Sequence, residues 1–353
     1  MTRIAVVSTS YPAHADDAAG HFVAAEVSEL VRAGHHVTVF APSALPGTPT
    51  DVSTLTARGE SVPPTGPQSD ENPRVVRLRD GGACGFPGLS ARLRARPTRA
   101  LGLARFLFSL RRELARRGPF EQVIVHWLLP STLPLLAVTL GPATLEVVVH
   151  GSDARLLAAL PRPLARSFLK QLLKRPLTLR CVSHELAELL RQVGGAELAP
   201  RLAGCTRVGP PALDVSQAPA RSLARARAEQ ALGVDGNTSL ALIVARLVPD
   251  KRVDVALSAA ALVPKLRVVV VGDGPLREEL AARFPNAHFL GHLPRSEALG
   301  WIAAADVLLS ASRKEGAPTV VREARALGVP VAACQSGDLT LWARDDPGLF
   351  VVA

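Results

Sequence analysis

Residues 4–40 read IAVVSTSYPAHADDAAGHFVAAEVSELVRAGHHVTVF, and this stretch decides the fold class. Ile4 to Ser8 is a short apolar run of the kind that is buried in a parallel sheet. Apolar residues then recur at helical spacing from Phe22 to Val31, and Gly34 stands where a glycine commonly ends a helix. His36 to Phe40 predicts the next strand. Strand, helix and strand in this order are typical of a βαβ unit in a parallel sheet.

The same alternation continues along the rest of the chain. The further predicted strands are Val75–Leu78, Gln122–Trp127, Leu145–Val149, Leu179–Ser183, Leu240–Val244, Arg267–Val271, His288–Leu290, Val307–Leu309 and Val329–Ala332. Helices are predicted between them, one of them opening at Pro130 and another over Glu185–Val193. Asp214 to Ala224 is predicted to be a linker. We therefore expect an α/β protein with an N-terminal domain (residues 1–214) and a C-terminal domain (residues 215–353), and any ligand in the cleft between them.

Two segments do not follow this alternation. Residues 42–73 are rich in Pro, Ser, Thr and Gly and have no hydrophobic period, which predicts a long surface loop. Residues 89–117 alternate arginine with Leu, Ala and Phe, and one helical face carries Leu103, Phe106, Leu107 and Leu110. That helix is either solvated, with a basic outer face, or amphipathic and bound to an anionic membrane surface.

Composition excludes several classes of protein. The 353 residues are 48% hydrophobic and 20% charged, as in a folded chain of two domains. The net charge of +10 raises nucleic acid as a partner, but the chain has few aromatic residues and no nucleic-acid motif, so we predict no such partner. The four cysteines form no CxxC pair, which argues against a zinc site or a disulfide scaffold and favours buried thiols in a reducing cytosol.

Membrane and export signals are weak. The N-terminus lacks the pattern of a signal peptide, so we expect a cytoplasmic protein, peripheral on the inner face of the cell membrane if residues 89–117 bind lipid. Residues 123–141 carry no Asp, Glu, Lys or Arg and are nearly long enough to span a bilayer. His126, Pro130 and Pro134 interrupt them, however, and they divide into a strand, a turn and a buried helix. We interpret the segment as core.

The strongest chemical signal is RKEGAPTVVRE, residues 313–323. A strand leads into a glycine turn and then into a helix that starts near Pro318. The free N–H groups and the dipole at such a helix start form a site for phosphate or diphosphate. Carboxylates beside it accept hydrogen bonds from hydroxyl groups, so Glu315 could hold a sugar and Glu323 a ribose. Two glutamates eight residues apart are, by themselves, common.

Three further motifs follow predicted strands. In VARLVPDKR (residues 244–252), Arg246 and Lys251 could neutralise a diphosphate leaving group, although either alone is also consistent with a solvated loop charge. In VGDGPL (residues 271–276), the turn at Gly272 and Gly274 either borders a nucleotide base or is simply a turn. HGSD (residues 150–153) places His150 at a strand end, as a functional group or as a satisfied core histidine.

In combination these motifs resemble the GT4 family of glycosyltransferases, whose members have the GT-B fold. The resemblance covers most of the chain, and the jointly spaced set in the C-terminal half is highly specific. Other segments that match are Ala19–Val23, Val125–Pro130, Val182–Ser183, Phe289–Gly291, Ala304–Val307 and Gly328–Ala332.

The resemblance implies two Rossmann-like domains that face each other across a cleft. It also implies a retaining, metal-independent enzyme with no cofactor, which uses a nucleotide-diphosphate sugar and a glycan or lipid-linked acceptor. By similarity, Arg246 and Lys251 would hold the diphosphate, Glu315 the sugar and Glu323 the ribose. His150 would line the reaction centre on the acceptor side. The remaining site residues implied are Asp153 on the acceptor side, and Gly20, Gly272, Gly274, Gly316, Ala317, Pro318 and Thr319 on the donor side.

The chain departs from the family pattern in two places. Members usually have a glycine-rich turn after the first strand, for which Gly20 is the nearest match. They also generally continue beyond the strand predicted at Leu349–Val352 with helices, one of which crosses back to the N-terminal domain. This sequence stops at Ala353, so we expect either a fragment or a shortened C-terminal domain.

Other functions remain open. An NAD-type oxidoreductase should have GxGxxG after the first strand, and residues 8–12 lack it. A sugar-nucleotide epimerase shares the two-domain architecture, and an inactive homologue that acts as a binding protein is the non-enzyme alternative. The joint presence of Arg246, Lys251, Glu315 and Glu323 favours an active transferase. A bacterial surface polysaccharide or a lipid-linked glycan is our hypothesis for the acceptor, because the basic residues 89–117 would suit a membrane-bound one.

Overall fold

The computed structural model describes residues 1–14, 17, 19–43, 53–55, 61–62, 72–85, 88–138 and 141–352. It divides the chain into two compact units, Met1–Ala212 and Leu213–Ala353. Each unit contains its own largely parallel sheet with helices. Two Rossmann-like units were expected from the sequence, and the structure confirms this fold class.

The first unit is built on a sheet with the strand order β4-β3-β5-β2-β1-β6-β7-β8-β9 in the described part of the chain. Neighbouring strands are parallel, except that β3 is antiparallel to β4 and β5. The strands are β1 (Arg3–Val7), β2 (His36–Pro42), β3 (Ser53–Leu55), β4 (Ser61–Val62), β5 (Arg74–Leu78), β6 (Gln122–His126), β7 (Thr144–Val149), β8 (Leu177–Cys181) and β9 (Thr206–Val208).

The long loop predicted over residues 42–73 is partly wrong. Strand β2 extends to Pro42, and the short strands β3 and β4 lie within the segment. Strands of three and two residues are too short to show a hydrophobic period, which is why the sequence pattern did not indicate them. Most of the remaining predicted loop lies outside the described residues.

The helices of the first unit differ from expectation at three positions. They are α1 (His21–Arg32), α2 (Leu89–Ala95), α3 (Arg99–Arg117), α4 (Ser152–Ala158), α5 (Arg162–Leu172) and α6 (His184–Cys205). The single helix predicted over residues 89–117 is two helices, because Pro97 forces Arg96 into an extended conformation. Instead of a helix opening at Pro130 there is a short 3₁₀ turn at Leu133–Ala137. Helix α6 continues well past Val193, with a break at Gly195.

The second unit contains a fully parallel sheet with the order β12-β11-β10-β13-β14-β15. Its strands are β10 (Ser239–Val244), β11 (Leu266–Val271), β12 (His288–Gly291), β13 (Val307–Ser310), β14 (Val331–Cys334) and β15 (Leu349–Val352). Its helices are α7 (Arg221–Leu232), α8 (Val253–Ala260), α9 (Arg277–Arg283), α10 (Arg295–Ala304), α11 (Thr319–Ala326) and α12 (Leu339–Trp342). The predicted linker therefore ends before Arg221, where α7 begins.

Both faces of the second sheet are buried. Along β10, Leu240 and Leu242 pack into one apolar core, which includes residues of α10 and α11. Ala241 and Ile243 pack into the other, which includes residues of α8 and α9. Since helices cover both faces, polar side chains gather at the ends of the strands, in the loops that follow them.

The uncharged residues 123–141 behave as core in their described part. Most of β6 is buried, as are Leu128 and Leu135. In the described ranges of the chain, no helix combines the length and the apolar character that crossing a membrane requires.

Candidate active site

In the second unit, the loops after β10 and β11 are joined by backbone hydrogen bonds. The amide of Ala245 donates to the carbonyl of Val271 at 3.0 Å, and that of Leu247 to the carbonyl of Asp273 at 2.9 Å. Gly272 has φ +136°, and a Cβ atom there would overlap the carbonyl group of Ala245. Glycine is therefore required at position 272 for a structural reason, because any side chain there would prevent the loop that carries Arg246 from packing against this turn.

Lys251 and Glu315, predicted from separate motifs, meet in the structure. Lys251 ends a 3₁₀ turn after β10, Glu315 follows β13, and the Lys251 Nζ atom forms an ion pair with Glu315 Oε1. The two side chains are only 18% and 16% exposed. The amide of Arg313 donates to the carbonyl of Asp250 at 2.9 Å and so connects the same two loops. An ammonium group has three N–H donors, so Lys251 can bind an anion while it keeps its ion pair with Glu315.

The backbone of Glu315 is held by a residue that the sequence motifs did not single out. Its amide donates to Ser336 Oγ at 2.7 Å, and Ser336 is buried in the loop after β14. No short motif marks this serine, because the contact joins loops 21 residues apart. Ser336 therefore fixes the backbone at Glu315 and with it the direction in which the Glu315 side chain projects.

Helix α11 starts directly after the glycine turn, and its N-terminus lies at the same edge of the sheet. The turn is formed by Gly316 and Ala317, Pro318 is the N-cap, and Thr319 is the first helical residue. Pro318 is thus one position earlier than the sequence suggested. Among the described residues no side chain caps this helix, so its first N–H groups point from a positive helix end without a capping group.

Glu323 lies farther along α11 and is 6% exposed. Arg295 Nη1 of helix α10 donates to Glu323 Oε1 at 2.6 Å. Arg295 was not predicted, because nothing in the spacing of the two residues connects them. The ion pair matters physically, since a buried carboxylate without a cation would be strongly destabilising.

Arg246 lies in the loop after β10 with an exposed side chain. Six residues later, just after the 3₁₀ turn that ends at Lys251, Arg252 adopts the left-handed region with φ +46°. This conformation is uncommon for an arginine. The predicted donor-side residues of the second unit therefore all lie in loops that follow its strands, or in the first turns of α11.

In the first unit, the loop after β1 packs tightly on the start of α1. Gly20 precedes α1 with φ +72°, and a Cβ atom there would overlap the carbonyl group of Ser10. Buried Arg77 of β5 donates to the carbonyl of Tyr11 at 3.1 Å, and its guanidinium lies 5.5 Å from the Tyr11 ring centre. Burial raises the pKa of Tyr11 to about 12. The single glycine thus serves close backbone approach rather than an open glycine-rich turn.

Asp153 holds the loops after β6 and β7 together. Its carboxylate accepts hydrogen bonds from the amides of Leu128 (2.6 Å), His150 (3.1 Å) and Gly151 (2.7 Å). It is 2% exposed, and burial raises its pKa while these hydrogen bonds oppose the rise. The geometry favours a positioning role for Asp153, because backbone groups occupy both of its oxygens.

His150 lies among aromatic rings at the end of β7. The ring centres of Phe22 and Trp127 lie 5.0 and 4.7 Å from that of His150, and Trp127 has a left-handed φ of +69°. His126, which ends β6, places Nδ1 3.0 Å from His150 Nε2. His126 was not predicted, although two histidines that end adjacent parallel strands could have indicated the pair.

Both histidines are neutral near neutral pH. Burial, with a contribution from the charge of Arg180, lowers the pKa of His150 to about 3. Burial lowers the pKa of His126 well below its usual value, and His150 and Arg180 add to the effect. His150 would therefore contact a substrate as a neutral imidazole and not as a cation.

Two glycosyltransferase family models match this chain. Residues 18–203 match the glycosyl transferase 4-like domain, which is more than half of the chain, and residues 238–353 match the glycosyl transferases group 1. The chain belongs to the GT4 family of glycosyltransferases. It is accordingly an enzyme of the hexosyltransferase type.

Individual GT4-type relatives and structural neighbours extend over most of the chain. A glycosyltransferase assigned to teichuronic acid biosynthesis in Bacillus subtilis is 25% identical over 346 residues, which is 96% of this chain and 82% of that protein. Sucrose-phosphate synthase from Thermosynechococcus elongatus superposes with a TM-score of 0.70 at 20% identity, covering 97% and 83% of the two chains. Anabaena HepE in complex with UDP-glucose gives a TM-score of 0.62 at 15% identity, covering 97% and 82%. These neighbours show that the two units have the GT-B type of fold.

The described residues of this GT4 protein contain no group of three or more His, Cys, Asp or Glu side chains arranged to hold a metal ion.

Proposed function

We propose that the protein transfers a sugar from a nucleotide-diphosphate sugar to a glycan or lipid-linked acceptor, with retention of anomeric configuration and without a divalent metal ion. The observation that carries the proposal is the meeting of Lys251 and Glu315 beside the uncapped start of α11. A cation, a carboxylate and a positive helix end are the groups that a diphosphate joined to a sugar requires.

In this proposal the diphosphate lies against the first N–H groups of α11, next to Lys251 and Arg246. These positive groups stabilise the negative charge that develops as the glycosidic bond to the diphosphate breaks, which is the task a metal ion performs in other transferases. Glu315 accepts hydrogen bonds from sugar hydroxyls, and Glu323, held by Arg295, accepts them from the ribose. The departing phosphate takes the acceptor's proton on the same face.

The donor and acceptor classes are supported by what similar proteins are known to use. HepE is seen with UDP-glucose, which supports a nucleotide sugar as donor. The Bacillus relative is assigned to teichuronic acid biosynthesis, which supports a polysaccharide under construction as acceptor. We place the N-terminal domain (residues 1–214) on the acceptor side and the C-terminal domain (residues 215–353) on the donor side, with the protein at the cytoplasmic face of the membrane.

A thermal-shift screen against UDP, GDP, ADP and TDP in the presence of EDTA tests the donor site. One nucleotide should raise the melting temperature, because a ligand at 100 times its Kd adds about 2.7 kcal/mol to stability. The shift should disappear in Lys251→Ala and shrink in Glu323→Gln. Lys314→Ala serves as the matched control, because Lys314 is an exposed cation in the same loop as Glu315, and it should keep the full shift.

The screen also separates the alternatives. A shift that needs added Mg²⁺ would contradict metal independence, and no shift with any nucleotide would contradict the donor site itself. Conversion of a UDP-sugar into an isomer without acceptor would identify an epimerase instead of a transferase.

The outer face of α3 supports the further proposal that the first unit binds an anionic lipid surface. Phe106, Leu110 and Leu114 of this helix are buried, whereas Leu101 is 77% and Phe108 68% exposed. Arg105 and Arg112 are exposed at the spacing that puts them on the same face as these two apolar side chains. Apolar side chains flanked by arginines fit the boundary between headgroups and acyl chains.

Flotation with vesicles containing phosphatidylglycerol tests this surface. The double variant Leu101→Ser/Phe108→Ser should bind at least about tenfold more weakly, because burying each side chain contributes about 1.5–3 kcal/mol. Arg105→Glu/Arg112→Glu should weaken binding to anionic vesicles in proportion to their charge, at about 1 kcal/mol per arginine. Leu262→Ser is the control, since Leu262 is 83% exposed in the second unit. Equal binding by the wild type to neutral vesicles, or unchanged binding by both double variants, would contradict the proposal.

A further inference from the structure

A buried polar chain leads away from His150 into the first unit. His126, with no exposed surface, lies 3.0 Å from His150 and stacks on it with an interplanar angle of 20°. On its other side, His126 Nε2 lies 4.0 Å from Glu26 Oε2 of helix α1. Glu26 Oε1 forms an ion pair with Arg180 of β8. The order of groups is therefore Arg180, Glu26, His126 and His150.

Two atoms in this row of buried polar groups have no hydrogen-bond partner among the described residues, and they face each other. These are His126 Nε2 and Glu26 Oε2. Their separation of 4.0 Å is too long for a hydrogen bond, but a movement of about 1 Å would form one. Leaving two buried polar groups unsatisfied is destabilising, which favours the formation of this hydrogen bond.

The position of the protons follows from the donors that each group possesses. Arg180 has only donors, and in the ion pair with it Glu26 is a carboxylate, which has only acceptors. Burial raises the pKa of this carboxyl group, and Arg180 opposes the rise. The carboxylate therefore needs a proton on His126 Nε2. With that proton there, neutral His126 carries a lone pair on Nδ1, and the 3.0 Å contact requires His150 to donate from Nε2. Neutral His150 then has a lone pair on Nδ1.

We infer that Glu26 and His126 are positioning residues that hold His150 as the Nε2–H tautomer, so that its Nδ1 atom accepts a hydrogen bond from a hydroxyl group of the sugar or of the acceptor. The hydroxyl class of ligand rests on the proposed function, whereas the order of protons rests only on the contacts within the first unit. Trp127 and Phe22 enclose the His150 ring and reduce the competition from water for that lone pair.

One substitution, Glu26→Gln, should reverse the positions of the protons on both histidines. In Glu26→Gln the amide oxygen must stay on Arg180, because Arg180 cannot accept a hydrogen bond. The amide NH₂ then faces His126 Nε2 and donates to it. His126 must carry its proton on Nδ1 and donate to His150, which becomes the Nδ1–H tautomer and offers a substrate hydroxyl a donor in place of an acceptor.

Two-bond ¹H–¹⁵N correlation spectra of the ¹⁵N-labelled full chain measure this directly, because each neutral tautomer has its own pattern of ring nitrogen shifts. His150→Gln identifies the His150 signals among the nine histidines. The wild type should show His150 and His126 both protonated at Nε2, and Glu26→Gln should show both protonated at Nδ1. Glu29→Gln is the control, since Glu29 is an exposed carboxylate on the same helix, and it should leave both tautomers unchanged.

Kinetics then tests the link to catalysis. With the nucleotide sugar chosen by the thermal-shift screen, Glu26→Gln should lower kcat/KM by roughly 10- to 100-fold through the donor–donor mismatch at His150, and Glu29→Gln should not. A wild-type His150 protonated at Nδ1, or tautomers unchanged in Glu26→Gln, would overturn the inference. Absence of any transfer activity with the expected tautomers would contradict only the proposed function, because the spectra need no substrate.

Discussion

Replacing Lys251 with alanine will lower kcat/KM for sugar transfer by roughly 10²- to 10³-fold, the usual effect of removing one preorganised group that stabilises developing negative charge. Lys251 lies beside Glu315 and the start of α11 and is 18% exposed, so water replaces its charge poorly. The effect should appear mainly in kcat if the ammonium acts on the leaving diphosphate. Steady-state kinetics with the nucleotide sugar found in the screen measures it.

Two controls make the Lys251 result interpretable. Lys314→Ala removes an exposed cation from the neighbouring loop and should change kcat/KM by less than about twofold, as expected for a solvated charge. Lys251→Ala also leaves Glu315 without its cation, so Lys251→Ala/Glu315→Gln should have nearly the melting temperature of the wild type and still lack activity. Full activity of either Lys251 variant would contradict a role for this cation in transfer.

Gly272→Ala should destabilise the second unit by about 4 kcal/mol, the sum of about 1–3 kcal/mol each from backbone strain and overpacking. A methyl group at this position would overlap the carbonyl group of Ala245, and the two loops can separate only by breaking their backbone hydrogen bonds. Urea unfolding followed by tryptophan fluorescence detects the loss, because Trp301 and Trp342 lie in the helices of this unit.

Gly328→Ala separates strain from overlap in the same unit. Gly328 also has a positive φ, +73°, but no atom lies within 4 Å of where its Cβ would be. It should therefore show only the left-handed penalty of about 1–2 kcal/mol. Equal losses in the two variants would mean that the loop after β10 does not need the close approach at Gly272.

Most strands of both units could be predicted because each of them is a short, nearly continuous apolar run, as parallel strands buried on two faces must be. The exceptions are the strands of two or three residues, β3, β4 and β9. Their ends shifted by one or two residues, as at β14, where hydrogen bonds rather than hydrophobicity decide the boundary. The break between α2 and α3 at Arg96 could have been predicted from Pro97, because the residue before a proline disfavours the helical conformation. Helix α6 was underestimated because Gly194, Gly195 and Pro200 normally indicate an end. The chain does leave the helical conformation at Gly195, but a second helical segment follows the kink and extends to Cys205.

Only part of the candidate site could be predicted, because a single sequence does not show which distant residues come into contact. Residues that act from a single motif, such as Glu315 and Lys251, could be named. Their supports could not, since Ser336 and Arg295 lie 21 and 28 residues from the groups they hold. Contacts of this kind depend on which loops the sheet brings together. The acceptor-side assignment of Asp153 stays a prediction, and the motif did not indicate that its oxygens accept hydrogen bonds from backbone amides.

The left-handed residues Trp127, Arg252 and Lys265 affect how this sequence can change during evolution. Glycine or asparagine at any of them would relieve a penalty of about 1 kcal/mol. Lys265 lies between α8 and β11, outside the motifs that carry chemistry, so selection for heat resistance is free to replace it. Trp127 and Arg252 lie in the loops from which sugar transfer is proposed to occur. We therefore expect a glycine at Trp127 or Arg252 to stabilise the fold while changing the shape of the surface on which transfer is proposed to occur.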